Sequence, residues 1–296
     1  LFFFLLFSKF DRIQANDLDT LMPAYLVSKL RNKHLVYDTH EIFTEVTEIQ
    51  GRWVRRIWVL IENSIFPKVK NVITVNQSIA HFYQQKFNRN DIVVIRNIPD
   101  KKALIKTKTR KDLNLPIDRF ILIVQGSGIN IDRGIEEVLL SLKKLNGVLL
   151  LIVGSGDAIP GLKEMTIQEQ VSDKVKFVPR LPYEQMMQYT MNADLGLSVD
   201  KPTSLNYEFS LPNKIFDYIR AGIPILASNL VEVAALVKMY DIGTIIGNVN
   251  PTEITRAIQK YQKNTANKEQ LITSLNRASR ELIWENDAKA LEIIYK

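Results

Sequence analysis

Three features of the sequence predict an α/β chain of two doubly wound domains. Short runs of Val, Ile and Leu recur between helical stretches. These runs are continuous instead of alternating polar with apolar, the mark of parallel strands covered on both faces. A polar, Lys-rich link, Asp100–Lys111, divides them into two sets.

The first set is Arg12–Ala15, Leu35–Tyr37, Val72–Val75 and Ile92–Ile95. The second is Phe120–Val124, Val148–Val153, Val175–Val178, Leu195–Val199, Ile223–Ala227 and Thr244–Ile246. Helices between consecutive strands make βαβ units. Residues 1–99 are expected to form the first domain and residues from 100 onward the second. With only four visible strands, the first is expected to be incomplete. The opening LFFFLLF is far too short to span a bilayer. It lacks the basic leader and small-residue cleavage site of a signal peptide. It reads as a core helix, with Leu1 the cut end of something longer.

Composition removes several function classes. At 296 residues, 46% apolar and 24% charged, the chain is of ordinary globular make-up. Without Cys it has no disulfide, thiolate metal site or thiol nucleophile, which fits a cytosolic protein. His34, His40 and His81 show no HExxH or paired spacing, so no metal site is expected. The net charge of +7 suits nucleic acid, anionic lipid or a phosphorylated substrate, and equally well plain solubility. No Lys/Arg run interleaved with aromatics resembles a nucleic-acid module.

In open α/β sheets ligands bind off the carboxyl ends of the strands, so the polar residues there carry the functional question. The densest segment is Ser210–Ser228, SLPNKIFDYIRAGIPILAS. Pro212, Asn213 and Lys214 open a helix, Asp217 sits in its first turns, and Gly222 ends it. A helix N-terminus beside a lysine attracts phosphate. An acid one turn on can take two sugar hydroxyls, or simply complement the helix dipole.

Gln125–Gly126–Ser127–Gly128 follows a strand, and Asp132–Arg133–Gly134 opens the next helix. Glycines let backbone amides approach phosphate, and Arg133 can neutralise it. A tight turn alone explains such glycines equally well. Read with Lys214, Arg133 supplies a second cation at the strand ends of one sheet. Gly154–Ser155–Gly156 is a second glycine turn, read as structural ahead of functional. Arg180, after the strand ending at Val178, suits a nucleobase contact or plain solvation. Glu208 suits a sugar contact or an ordinary loop.

His40 follows the strand Leu35–Tyr37, between Asp38 and Glu41. Facing a cleft between domains, it can bond a sugar hydroxyl or move a proton. A lone His is more often structural. No GxSxG elbow or Ser/His/Asp set is present. Arg52–Leu60, RWVRRIWVL, reads as an amphipathic helix with Arg52, Arg55 and Arg56 on one side and Trp53, Ile57 and Leu60 on another. It suits an anionic membrane surface. The competing reading, slightly preferred, packs its aromatics on the sheet beneath a solvated basic face.

On these segments the chain resembles the GT-B glycosyltransferases, specifically the group 1 retaining enzymes of family 4. QGSGINIDRGIEEVL, LLLIVGSGD, VKFVPRLPYEQMMQYTMNADLGLS and SLPNKIFDYIRAGIPILAS resemble the donor domain. ANDLDTLMPAYLVSKLRNKHLVYDTHEIFTE resembles the later part of the acceptor domain. WENDAKALEIIY resembles the closing helix that crosses back to the first domain. The resemblance implies two Rossmann-like domains, 1–99 on the acceptor side and 100–280 on the nucleotide-sugar side, with 281–296 as that helix.

The resemblance also implies roles. Arg133 and Lys214 match the cations that hold a donor diphosphate, and Asp217 the acid that binds ribose, usually Glu. His40 matches the acceptor-domain His that approaches the donor sugar. The family leaves seven residues between its two acids, whereas eight separate Glu208 from Asp217. Gly126, Ser127, Gly128, Arg180, Pro212 and Asn213 complete the expected donor site.

The implied reaction moves a sugar from a nucleotide diphosphate-sugar to a glycan or lipid-linked acceptor in polysaccharide biosynthesis. Anomeric configuration is retained, and neither metal nor cofactor is needed. The expected setting is the cytoplasm, peripheral to the inner face of the membrane. The family's acceptor domain begins with strands and a glycine-rich loop that would precede Leu1, so the chain is expected to be a fragment or a degenerate remnant. Two alternatives stand beside the transferase. One is a GT-B nucleotide-sugar epimerase, which needs no acceptor; the other is a non-catalytic nucleotide-sugar or partner-binding remnant.

Overall fold

The computed structural model describes residues 1–102, 104–263 and 268–295. Ala103 of the Lys-rich link, residues 264–267 of the second domain and Lys296 of the closing segment lie outside the described residues. The chain begins with α1 (Phe2–Phe7), β1 (Arg12–Asn16), α2 (Asp17–Leu30), β2 (His34–Thr39), α3 (Val54–Ile65), β3 (Asn71–Thr74), α4 (Gln77–Phe87) and β4 (Ile92–Val94). It continues with β5 (Phe120–Gly126), α5 (Ile135–Leu142), β6 (Val148–Gly154), α6 (Ile159–Gln168), β7 (Val175–Val178), α7 (Tyr183–Thr190), β8 (Leu195–Ser198) and α8 (Leu205–Glu208). Last come α9 (Lys214–Ala221), β9 (Ile225–Ser228), α10 (Val231–Tyr240), β10 (Gly243–Ile246), α11 (Pro251–Lys263), α12 (Lys268–Glu281), α13 (Trp284–Asp287) and α14 (Leu291–Tyr295).

Each of the apolar runs read from the sequence forms a strand, with ends shifted by two residues at most. The strands form two parallel sheets, one in each of two units. The first unit comprises Leu1–Asn97, Pro202–Ser210 and Trp284–Lys296; the second comprises Ile98–Lys201 and Leu211–Ile283. The sequence division at 99/100 did not foresee that Pro202–Ser210 belongs to the first unit. Its anchors there are a bond from Asn76 Nδ2 to the Phe209 carbonyl at 2.8 Å and one from the Ile42 N–H to Asn206 Oδ1 at 3.0 Å.

The first unit carries a four-stranded sheet in the order β1-β2-β3-β4. One core contains Ile13, Tyr37 and Val72 with Leu18, Leu21, Phe66 and Tyr83. A second contains Val36, Ile73, Ile95 and Ile294, with Trp284 and Leu291 packed on it, so residues of the closing segment complete this unit's own core. Arg96 clamps Asp287 through Nε and Nη2, both at 2.7 Å. This two-pronged pairing fixes orientation as well as distance.

Two expectations need correction here. LFFFLLF is a helix, but none of its residues is buried. Phe2, Leu5 and Leu6 pack partly on the core, while Phe3, Phe4 and Phe7 are exposed, because one face of so short a helix is all that reaches its neighbour α2. In α3 the preferred reading, aromatics packed under a basic face, holds only in part: Trp58 and Ile61 pack on the core. Trp58 meets the Phe43 ring edge-on, but Trp53 is 74% and Leu60 67% exposed. Arg55 is turned back to Glu45 and the Thr44 carbonyl. Among the described residues no helix is long and apolar enough to cross a membrane.

The second unit carries a six-stranded sheet in the order β10-β9-β8-β5-β6-β7. The interior residues of β5 and β6 and all residues of β8 and β9 are buried, as continuous apolar strands require between two layers of helices. The two layers show as two core clusters, one holding Ile121, Ile123 and Leu151 and the other Leu122, Val124 and Leu150.

Candidate active site

In the six-stranded sheet the strand order turns back once. From β5 the chain steps to β6 and β7 on one side, then returns to lay β8, β9 and β10 on the other. Ligands of open parallel sheets bind off the carboxyl ends of the strands flanking such a switch. Those ends are Gly126 of β5 and the residues just beyond Ser198 of β8.

Asp200 lies there, fully buried. One carboxylate oxygen is 3.1 Å from Arg133 Nη1 and the other 2.9 Å from Lys214 Nζ. Ser198 Oγ donates to the second oxygen at 3.3 Å, and Ser228 Oγ donates to the Asp200 carbonyl at 2.6 Å. Burial pushes the Asp200 carboxyl up, but the charges and hydrogen bonds of Lys214 and Arg133 outweigh it and hold the group below the usual carboxylate value.

Local backbone brings the cations in. Gly134 opens α5 with a φ of 72°, and Lys201 N–H donates to the Asp132 carbonyl at 3.0 Å. Lys201 Nζ also reaches Glu137 Oε1 at 2.6 Å. The segment carrying Arg133 is thereby pinned to the end of β8. From the other side, α9 buries Ile215, Phe216, Tyr218 and Ile219. The Tyr218 ring covers Gly196 of β8 so closely that a Cβ there would stand 2.4 Å from it. The Tyr218 hydroxyl reaches the carbonyls of Ile123 and Leu197 at 3.2 and 3.1 Å. This seating puts Lys214, the first residue of α9, within reach of Asp200.

One turn along α9, Asp217 is turned toward β5. Gln125 Nε2 donates to one of its oxygens at 2.9 Å and the Tyr183 hydroxyl to the other at 2.8 Å. Thr190 Oγ1 holds Gln125 from behind, and Arg220 Nη1 lies 3.3 Å from the Tyr183 oxygen. Burial pushes the Asp217 carboxyl up, more than these hydrogen bonds pull it down. The sequence pointed to Asp217 but not to Tyr183. The contacts of Asp200 and Gln125 were equally hidden, although both stand among the polar residues that close strands. A carboxylate closing the apolar run LGLSVD was the available signal for Asp200.

The two glycine turns differ. Ser127 and Gly128 are exposed, and a Cβ on Gly128 would meet nothing within 4 Å. A Cβ on Gly154 would instead stand 1.8 Å from the Gly126 carbonyl oxygen, and one on Gly156 2.1 Å from that of Ile129. The second turn therefore braces the first.

The other singled-out residues lie on several elements. Pro212 and Asn213 lead into α9, where the Asn213 carbonyl accepts from Phe216 and Asp217 N–H at 3.0 and 3.2 Å. Arg180 is exposed beyond edge strand β7, with β6 and β5 between that strand and β8. Glu208 is exposed on α8 and His40 follows β2, both in the first unit. His40 Nε2 lies 3.5 Å from Asp38 Oδ2, and the His40 backbone N–H donates to Asp17 Oδ1 at 2.9 Å. The Asp38 hydrogen bond raises the His40 pKa against the opposing effect of burial. Gln14 Nε2 holds Asp38 Oδ2 at 2.9 Å. Among the described residues no group of three or more His, Asp or Glu is placed to hold a metal ion.

Paired parallel sheets with a cationic switch point define a GT-B, Rossmann-like architecture. The chain belongs to the glycosyl transferases group 1 family, whose model matches residues 105–277. No curated protein sequence matches it. Among solved structures it is similar to HepE of Anabaena in complex with UDP-glucose, at 20% identity and a TM-score of 0.80, over 96% of this chain and 78% of that one. It is also similar to sucrose-phosphate synthase of Thermosynechococcus elongatus, at 18% identity and a TM-score of 0.77, over 97% and 73%. A third is WaaG, a glycosyltransferase of lipopolysaccharide biosynthesis, at 14% identity and a TM-score of 0.72, over 94% and 83%.

Proposed function

We propose that this chain transfers a sugar from a nucleotide diphosphate-sugar to a glycan or lipid-linked acceptor with retention of anomeric configuration. The observation that carries the proposal is the convergence of Arg133 and Lys214 on buried Asp200 at the switch point. Two fixed cations suit a diphosphate, whose negative charge grows as the sugar leaves. Electrostatic stabilisation of that leaving group is then the main catalytic contribution. The backbone of Gly126–Ser127–Gly128, of which Ser127 and Gly128 are exposed, suits the same anion, and Asp217 suits the ribose hydroxyls.

His40 is assigned to the donor sugar, and the departing phosphate to deprotonating the acceptor. With the cations supplying the positive charge, the reaction is proposed to need no metal. HepE binds UDP-glucose, which favours a uridine donor among the nucleotides to be tried. The proposed setting is the cytoplasmic face of a membrane, with exposed Trp53, Ile57 and Leu60 beside exposed Arg52 and Arg56 as the docking surface.

The test is a thermal-shift titration with UDP, GDP, ADP and their sugar conjugates, on the parent and on Lys214→Ala and Asp217→Ala. Bound ligand raises the melting point by mass action. Stabilisation of the parent but not the variants by one nucleotide supports the donor site and names the base. No shift with any nucleotide overturns the proposal. Incubation with donor alone separates transferase from epimerase, since only the latter yields an isomerised donor.

A further inference from the structure

The donor assignment uses the position of Asp200 without explaining why a carboxylate stands there. A site built for an anion contains, at its centre, a fully buried carboxylate. A negative charge there opposes the binding of another, so binding strength alone gives no reason for it.

Geometry supplies one. Each oxygen of Asp200 takes a different cation, Arg133 from the start of α5 and Lys214 from the start of α9. Both side chains are long and lose considerable rotamer freedom when held. Asp200 itself is held: Ser198 Oγ bonds its carboxylate and Ser228 Oγ its carbonyl, and Ser198 and Ser228 are buried as well. The side chains of Arg133 and Lys214 are 22% and 12% exposed, so each keeps a limited surface for a ligand. Cations oriented beforehand need no reorganisation when charge develops on a leaving group.

We infer that Asp200 is a positioning residue that aligns Arg133 and Lys214 as a fixed pair for the leaving diphosphate, at some expense in ground-state affinity. The inference rests on the donor assignment above. Asp200 touches no substrate; it acts through the two cations. Its removal should therefore separate binding from turnover. With the carboxylate neutralised, the site gains net positive charge, and free nucleoside diphosphate should bind as well or better. The cations, no longer aligned, should serve the transition state worse.

The experiment compares the parent with Asp200→Asn, Asp200→Glu and Lys214→Ala. Calorimetry gives the affinity for UDP, and initial rates with UDP-glucose give donor consumption. The expected result for Asp200→Asn is UDP affinity equal to or up to about threefold tighter than the parent, with kcat about 100-fold lower, the scale of a misplaced catalytic group. Asp200→Glu keeps the charge but lengthens the arm, and should recover part of the rate. If Asp200→Asn does not fold, Asp200→Glu decides, with lowered kcat and retained affinity expected. Parent kcat in the folded variant, or equal proportional losses of affinity and rate, would overturn the inference while leaving the donor site standing. A parent that binds no UDP, GDP or ADP would overturn the donor assignment, and this inference with it.

Discussion

A Cβ on Gly134 would stand 2.2 Å from the carbonyl oxygen of Val199. Gly134 also holds a φ of 72°, where a side chain is disfavoured. The start of α5 can lie against the end of β8 only because this residue has no side chain, and Arg133 reaches Asp200 from that start. Gly134→Ala should destabilise the chain by about 1–3 kcal/mol, the usual scale of backbone strain. Donor turnover should fall with it, since Arg133 is displaced. Denaturant unfolding measures the first effect; an unchanged midpoint would mean that α5 can retreat from β8 without loss.

Lys214→Ala and Arg133→Ala should each lower kcat by about 100- to 1,000-fold, as loss of one fixed donor to a developing anion does. Turnover of the parent should be unaffected by excess chelator. Steady-state rates with the stabilising nucleotide-sugar check both statements. A Lys214→Ala protein at the parental rate would remove Lys214 from the proposed site, and inhibition by chelator would show that a metal shares the charge.

Asp217 already accepts two hydrogen bonds, from Gln125 and Tyr183. Each carboxylate oxygen keeps a further lone pair, so ribose hydroxyls can bond beside these two donors, which crowd the same oxygens. Asp217→Asn should weaken nucleotide affinity about 10- to 100-fold, the value of a hydrogen bond to a charged group. Tyr183→Phe removes a competitor and should leave affinity equal or tighter. Weaker binding by Tyr183→Phe would instead make that hydroxyl a ligand contact.

His40 should titrate above its ordinary value of 6.5, because the Asp38 hydrogen bond favours the imidazolium. The sign follows from linkage: stability from this pair is full below 6.5 and is lost as pH rises through the raised folded-state pKa. The imidazole is 44% exposed, so the effect on stability is small. Proton NMR of the His40 ring, repeated on Asp38→Asn, reads it directly. The midpoint should fall in the variant; an identical midpoint would disconnect Asp38 from His40.

Because Arg55 is ion-paired with Glu45, the proposed membrane docking should depend on Arg52, Arg56 and Trp53. Co-sedimentation with anionic vesicles at low salt should be lost in Arg52→Glu/Arg56→Glu and weakened in Trp53→Ala. Screening by salt should weaken it in the parent. Equal binding to neutral vesicles would exclude an electrostatic component.

Strand identity was legible in the sequence because buried parallel strands leave a one-dimensional trace. Runs such as FILIV and VLLLIV need no partner to be recognised, and their order along the chain already implies βαβ units. Arg133, Lys214 and Asp217 stand out in the sequence for a similar reason: each sits beside a local marker, Gly134 or the Pro212-to-Gly222 helix frame.

What stayed hidden depends on separations that a linear pattern does not encode. Asp200 meets Arg133 across 67 residues, and Tyr183 meets Asp217 across 34. Pro202–Ser210 lies inside the stretch that the sequence assigns to the donor domain, yet Asn206 and Phe209 bond within the first unit. Whether Trp53 and Leu60 are covered was open in the sequence, because amphipathic periodicity shows that a helix has an apolar face, not whether anything packs on it; both are exposed. The sequence by itself determined which segments are strands and which residue types crowd their ends. Only the tertiary structure decided which of those ends are neighbours, because strand order in a sheet is set by packing between segments distant along the chain.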